Sequence, residues 1–103
     1  MITTKTPIIF FNNLVKKEEV KHTVHVTNES EKTVNIKSYV GCICTTASVE
    51  TDILHPGQTI PVHITYVPSS TGIDEKEFGI IFQEKFNPLT YKLVFKIIAK
   101  IEA

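Results

Sequence analysis

The stretch Thr90–Ile101 near the end of the chain changes polarity almost residue by residue. Every odd-numbered position from Tyr91 to Ile101 is apolar, whereas three of the even-numbered positions are lysines. Because successive side chains of a β-strand point to opposite faces, a period of two gives the strand one apolar face. The pattern predicts a strand that packs on a core along one side.

Similar segments recur along the chain and set the fold class. A period of two is found in Val20–Asn28, Thr33–Val40, Ile60–Val67 and Glu75–Glu84. Pro7 opens a shorter apolar run, Ile8–Phe11, which predicts an edge strand, because proline is tolerated at the first residue of such a strand. Thr45–Thr51 is predicted as a seventh short strand that crosses between sheets. Six or seven strands and no helical pattern predict an all-β, immunoglobulin-like, antiparallel sandwich of two sheets.

The phase of each strand predicts which side chains face the core. In Thr33–Val40, the even-numbered positions are expected inward and Tyr39 outward. Ile81, Val94 and Ile98 are apolar residues on outward faces, so either another segment covers them or they form a patch for a partner. The residues expected to be buried are Ile36, Val62, Ile64, Phe78, Ile80, Phe82, Leu93, Phe95 and Ile97.

Length and charge limit the number of domains and the kinds of partner. With 103 residues, one domain is expected, comprising a flexible arm over residues 1–6 and a sandwich over residues 7–103. The formal net charge is zero and all eleven basic residues are lysines, which argues against nucleic acid or an anionic membrane as partner. No signal peptide and no membrane-spanning run are predicted, so a virion or cytoplasmic location is expected.

Cys42 and Cys44 are the two cysteines of the chain. In an extended strand both would lie on one face. They could be a metal or redox pair, a strained disulfide, or two small, partly buried hydrophobic residues, and the last interpretation is favoured. Zinc needs four ligands, and the four histidines, at positions 22, 25, 55 and 63, show no ligand spacing. We therefore predict no metal, no cofactor and no catalytic residues.

Three stretches together carry a family resemblance. They are NESEKTVNIKSYVGCICTT, ILHPGQTIPVHITYVPSSTG and LTYKLVFKIIAKI. The chain resembles a bacterial immunoglobulin-like family of unassigned function, within the wider group of major-sperm-protein and ASH domains. That family shows an S-C-G-C-T motif, whereas this chain reads G-C-I-C-T, and its members are commonly exported. The resemblance implies a non-enzymatic sandwich that acts in adhesion, packing or scaffolding.

Two kinds of binding function follow from this resemblance. The main hypothesis is a small particle-bound protein, such as a decoration protein on the capsid of a tailed phage, with repeated capsid subunits as its protein partner. The alternative is a soluble adaptor of the major-sperm-protein kind, which binds short peptides or proteins along a sheet edge. An enzyme is disfavoured, because no nucleophile, base or phosphate loop is arranged as catalysis requires. No small-molecule substrate is expected.

The arm and three loops are predicted to contact the partner, because loops on a rigid scaffold often carry binding residues. The predicted contact residues are Met1, Ile2, Thr3, Thr4, Lys5, Thr6, Asn28, Glu29, Ser30, Glu31, Lys32, Pro68, Ser69, Ser70, Thr71, Gly72, Ile73, Asp74, Lys85, Phe86, Asn87, Pro88 and Leu89.

Overall fold

Nine strands make up the regular structure. The computed structural model describes residues 1–41 and 44–102, and within these ranges there is no helix, hence none that could span a membrane. The strands are β1 (Ile2–Thr4), β2 (Ile8–Val15), β3 (Val20–Asn28), β4 (Val34–Val40), β5 (Thr45–Ser48), β6 (Ile53–Leu54), β7 (Thr59–Tyr66), β8 (Gly72–Glu84) and β9 (Thr90–Glu102).

The strands form two sheets that face each other across one core. The four-stranded sheet has the order β1-β3-β7-β5, and the five-stranded sheet has the order β2-β9-β8-β4-β6. Neighbouring strands are antiparallel except for β2 and β9, which are parallel. The all-β, immunoglobulin-like sandwich predicted from the strand pattern is therefore confirmed, with one parallel pair that the pattern did not indicate.

Alternation along the long strands fills the core. Phe78, Phe82 and Phe95 are fully buried between the sheets. Of the nine residues predicted to be buried, only Leu93 is not fully so, and it is half-buried. Aromatic side chains on β8 and β9 thus supply much of the apolar surface that the fold removes from water.

A β-bulge in β4 changes the phase predicted for that strand. In the pairing of β4 with β8, Ile36 lies opposite Phe82 and Ser38 lies opposite Ile81, so one residue is inserted between them. Because an extra residue reverses the faces of those that follow, the outward placement predicted for Tyr39 is wrong. Its ring stacks on Phe78 with 5.8 Å between the ring centroids, while Ser38 and Val40 take the outer face.

The first six residues do not form the loose arm expected from their polarity. Ile2–Thr4 is strand β1, which pairs with the end of β3, and Ile2 is buried in the core. The Glu29 N–H also donates to the Met1 carbonyl at 2.8 Å. The buried side chain of Ile2 and the backbone pairing with the end of β3 are enough to order this segment, although its sequence shows no alternation of apolar and polar residues. The chain then crosses to the other sheet through Lys5–Pro7 and begins β2.

Candidate functional site

Edge strands are the places where a sandwich can accept another chain, since one side of their backbone is unpaired. The four-stranded sheet ends in β1 and β5, which have three and four residues, and the five-stranded sheet ends in β2 and β6, which have eight and two. Short edge strands are one way in which proteins avoid unwanted pairing. Among the four edge strands, β2 is thus the longest. Residues 20–25 of β3 and 36–40 of β4 extend beyond β1 and β6 and do not pair with them.

The hydrogen bonds to β9 determine which backbone groups of β2 are free. The Lys96 N–H donates to the Pro7 carbonyl at 2.8 Å. In a parallel ladder, alternate residues of a strand direct their N–H and C=O groups to the same neighbour. Pro7 and Ile9 therefore face β9, whereas Ile8 and Phe10 direct their N–H and C=O groups away from it. No strand of the described chain lies on that side.

The same two residues expose apolar side chains on the outer face of the sheet. Ile8 is 47% exposed and Phe10 is 66% exposed, while Ile9 between them is buried. In the parallel register, Phe10 lies beside the half-buried Ile98, and Ile8 lies beside Lys96. We call Ile8, Phe10 and Ile98 the β2 patch. It combines apolar side chains with unpaired backbone groups.

Little charge surrounds this patch. No residue from Pro7 to Val15 is charged. The nearest charged side chains in the register are Lys96 and Glu75, both solvent-exposed, with their charged atoms 3.9 Å apart. The regular edge ends after Phe11, where the pairing with β9 shifts register and Asn13 adopts a φ of 58°. Four residues, 8–11, therefore form the regular part of the open edge.

Val94 and Ile81, the other apolar residues predicted to point outward, lie on the same face of the sheet as the β2 patch. Val94 is 40% exposed, and it lies in one row with Gly79 and the exposed Val40. Ile81 and Ile98 are half-buried. Of the two interpretations open for Ile81, Val94 and Ile98, a covering segment or a free patch, the exposure of Val94 favours the free patch.

The predicted contact residues fall at the two opposite ends of the sandwich. The loops 28–32 and 85–89 lie together, because the Lys85 N–H donates to the Thr33 carbonyl at 2.9 Å, and β1 reaches the same end. The loop within 68–74 lies at the other end, since Gly72 pairs with Ile101 whereas Gln83 pairs with Thr90. The structure thus brings two of the three loops together with the start of the chain and separates the third.

Phe86 stands at the tip of the 85–89 loop. Its side chain is 97% exposed and its φ is 63°, a backbone region that non-glycine residues seldom adopt. The Lys85 ammonium lies 5.2 Å from the centre of the Phe86 ring. This solvent-exposed aromatic ring gives the tip of the 85–89 loop an apolar surface.

Two tyrosine side chains donate hydrogen bonds to carboxylates within the fold. Tyr66 donates to Asp74 at 2.5 Å, and Tyr91 donates to Glu84. Burial, and then the bond to Asp74, raise the pKa of Tyr66. The bond to Glu84 is the main cause that raises the pKa of Tyr91. The Tyr66–Asp74 pair joins β7 of one sheet to β8 of the other, and the Tyr91–Glu84 pair joins the neighbouring strands β8 and β9. The described residues contain no group of three or more His, Cys, Asp or Glu that could hold a metal ion.

The cysteine segment is described only in part. Cys44 is half-buried and disulfide-bonded, so it does not titrate as a thiol. Cys44 is thus partly buried, as expected, but the disulfide applies to it in place of the favoured interpretation as a small hydrophobic residue. Cys42 lies outside the described residues, and so does the prediction made for it.

Comparison with solved structures supports the fold. An ASH/PapD-like domain of human CEP192 is similar with a TM-score of 0.75 at 17% identity, over 99% of this chain and 86% of that one. WR4, a C. elegans member of the MSP family, has a TM-score of 0.71 at 15% identity, over 96% of this chain and 97% of that one.

A third similar structure belongs to an enzyme. The VesB protease of Vibrio cholerae has a TM-score of 0.72 at 11% identity, and this chain covers only 31% of it. At these identities the similarity shows the fold alone. These matches give the capsid decoration role no support.

The sequence comparisons identify the family. No curated protein matches the chain. The family model described as a protein of unknown function (DUF1573) matches residues 2–97. This range includes nearly all of both sheets, and the chain therefore belongs to that family.

Proposed function

We propose that this chain is a protein-binding adaptor module, which holds a partner by adding an extended segment of that partner to the edge strand β2. The observation that carries the proposal is the β2 edge itself, where Ile8 and Phe10 present unpaired backbone groups together with exposed apolar side chains. The similarity to ASH and MSP domains agrees with a binding module of this kind.

Strand addition suits this edge for physical reasons. The backbone groups of Ile8 and Phe10 would supply hydrogen bonds that do not depend on the partner's sequence, while side chains of the added strand would select among partners. An added residue beside Phe10 would lie on the outer face and bury part of its ring. Complete burial of such a side chain contributes about 1.5–3 kcal/mol. We therefore expect a partner segment that is uncharged and apolar at alternate positions.

Replacing Phe10 with Lys should weaken this binding at least tenfold. Lysine at position 10 places a charge on the edge and removes the ring, and charged edge residues oppose strand pairing. The probe is a displayed library of random twelve-residue peptides, selected on the immobilised wild-type protein. Selected peptides should have alternating apolar residues and should bind Phe10→Lys at least tenfold more weakly.

Phe86→Lys is the matched control for this experiment. It makes the same change at an even more exposed phenylalanine, which lies beyond the far end of β9 from Phe10. Peptide binding should be unchanged in this variant. Peptides that bind Phe10→Lys as tightly as the wild type would refute the assignment to β2.

The loop ends remain a second proposed contact surface for the same function. The exposed ring of Phe86 favours the end formed by β1 and the loops 28–32 and 85–89, and Ile73, 78% exposed, marks the opposite end at 68–74. Binding that is lost in Phe86→Lys and retained in Phe10→Lys would place the partner at the first end. Loss in Ile73→Lys alone would place it at the second.

A further inference from the structure

We infer that the strand added to β2 is the β2 strand of a second copy of this chain, so that two five-stranded sheets join into one antiparallel sheet across a two-fold axis. This inference rests on the proposed function, because it names the partner for the same edge. Four properties of β2 support it: its lack of protection, its register, its side chains and its charge.

Over residues 8–11, before the register shift that follows Phe11, the β2 edge lacks the features that usually prevent self-association. Proteins protect long edge strands with charged side chains, prolines within the strand, or covering segments. The β2 sequence, IIFFNNLV, contains no charged residue and no proline, and its open side has no neighbour among the described strands. The other three edge strands of the described sheets have four residues or fewer. The parts of β3 and β4 that extend beyond β1 and β6 contain lysines, Lys21 and Lys37.

The free backbone groups fit a two-fold axis. In an antiparallel pair, two opposed residues exchange both of their N–H···O bonds when their backbone groups face each other. A register centred on Ile9 places Ile8 of each copy opposite Phe10 of the other. These are the two residues whose groups point away from β9. The free backbone N–H and C=O groups of Ile8 and Phe10 in both copies would then all be hydrogen-bonded. A two-fold interface, which uses the same surface on both copies, requires this.

The side chains on the outer face are complementary in this register. Each row of side chains across the junction would run from Lys96 to Ile8 in one copy. It would continue through Phe10 to Ile98 in the other copy. The two Lys96 residues would be about three strand spacings apart, roughly 15 Å. That exceeds the Debye length of about 8 Å at physiological ionic strength, so their repulsion is weak.

A second copy has an advantage over a flexible peptide at this edge. The β2 strand is already extended and held by β9 along its other side. A flexible segment loses backbone entropy when it becomes a strand, whereas a preformed strand has already lost it on folding. In this register residues 7–11 of the two copies lie opposite each other, and none of them is charged, so no like charges are opposed between them.

Sedimentation velocity over a range of concentrations tests the inference. The wild-type chain should shift from its monomer mass of 11.6 kDa to twice that mass as concentration rises. Phe10→Lys should raise the dimer dissociation constant at least tenfold. Ile53→Lys, at an exposed apolar residue of β6 on the opposite edge of the same sheet, should leave it unchanged. Circular dichroism melts will show that both variants fold, which their surface positions favour.

Amide hydrogen exchange tests the register. The N–H groups of Ile8 and Phe10 should exchange more slowly in the concentrated wild-type protein than in the dilute protein, whereas neither should depend on concentration in Phe10→Lys. A dimer that persists in Phe10→Lys, or one in which these two amides stay unprotected, would overturn the inference.

The outcomes also separate this inference from the proposed function. A wild-type chain that stays monomeric at all concentrations, yet captures library peptides through Phe10, overturns the second copy and supports the adaptor. Dimerisation through Phe10 without peptide capture supports the inference and overturns the adaptor. A monomer that captures no peptide overturns both.

Discussion

Phe95→Ala is expected to lower the free energy of unfolding by about 3–5 kcal/mol, the usual cost of removing a buried phenylalanine ring. Phe95 is fully buried in the middle of β9 and lies opposite the equally buried Phe78 of β8. Truncation loses the transfer free energy of the ring and leaves a cavity between two sheets that can collapse only in part. For a small domain with about 5–15 kcal/mol of total stability, this loss is large.

Urea denaturation of the wild type and the variant measures the effect, and Val94→Ala provides the control. Val94 is the neighbouring residue on β9, but it points to the outer face and is 40% exposed. Its truncation should change the free energy of unfolding by less than about 0.5 kcal/mol, as is usual for surface substitutions. Equal losses in the two variants would contradict the strand phase on which the core assignment rests.

The strand phase could be predicted wherever alternation is long and undisturbed. The inward positions of β9 are apolar from Tyr91 to Ile101. Those from Phe95 onward are buried, whereas Leu93, which was also predicted to be buried, is half-buried. In β4, alternation does not predict the faces of the residues after Ile36, because the bulge adds one residue there without changing the composition of the strand. The energy that fixes the bulge comes from packing, including the stacking of Tyr39 on Phe78, and a single strand's sequence does not contain that information.

The candidate site was harder to predict than the core. Ile8–Phe11 is a run of four apolar residues, so it has no alternation to show which side chains face the core. The parallel pairing with β9 places Ile9 inward and leaves Phe10 outside. One signal was available in the sequence: an apolar run on both faces of a strand that Pro7 marks as an edge. The predicted loops were chosen by a general rule, and their separation depends on a topology that the strand pattern alone does not define.

Asn28→Ala is expected to cost about 2–4 kcal/mol, since it leaves buried acceptors without donors and removes several hydrogen bonds. Asn28 is fully buried at the end of β3. Its Nδ2 donates to the carbonyls of Lys32 and Leu54 at 2.8 and 3.0 Å. Its Oδ1 accepts from the Ser30 N–H and hydroxyl at 3.0 and 2.6 Å. One side chain thus connects the 28–32 loop to β6.

Ser30→Ala is the matched control, because it removes the hydroxyl bond to Asn28 and the two solvent-exposed bonds of that hydroxyl to the Lys32 backbone, but leaves the Ser30 N–H and both bonds from Asn28 Nδ2 in place. It should cost about 1 kcal/mol, close to one ordinary hydrogen bond. Thermal and urea unfolding of both variants will measure the difference. If Asn28→Ala costs no more than Ser30→Ala, then the bonds from Nδ2 to Lys32 and Leu54 do not hold the loop.

Asn28→Asp separates the donor role from the shape of the side chain. The new carboxylate keeps an acceptor for Ser30 but turns an oxygen towards the carbonyls of Lys32 and Leu54, which cannot donate to it. Burial and these carbonyls should raise the pKa of the new carboxyl group above its unfolded value of about 3.9. A raised folded pKa means that the folded state binds the proton more tightly, so stability falls as pH rises from about 4.

The deficit in the free energy of unfolding of Asn28→Asp relative to wild type should therefore be largest at neutral pH and smaller near pH 4, where the protonated carboxyl can donate to one carbonyl. Urea unfolding of both proteins across this range measures the deficit, and one that does not change with pH would show that Asn28 acts by packing alone.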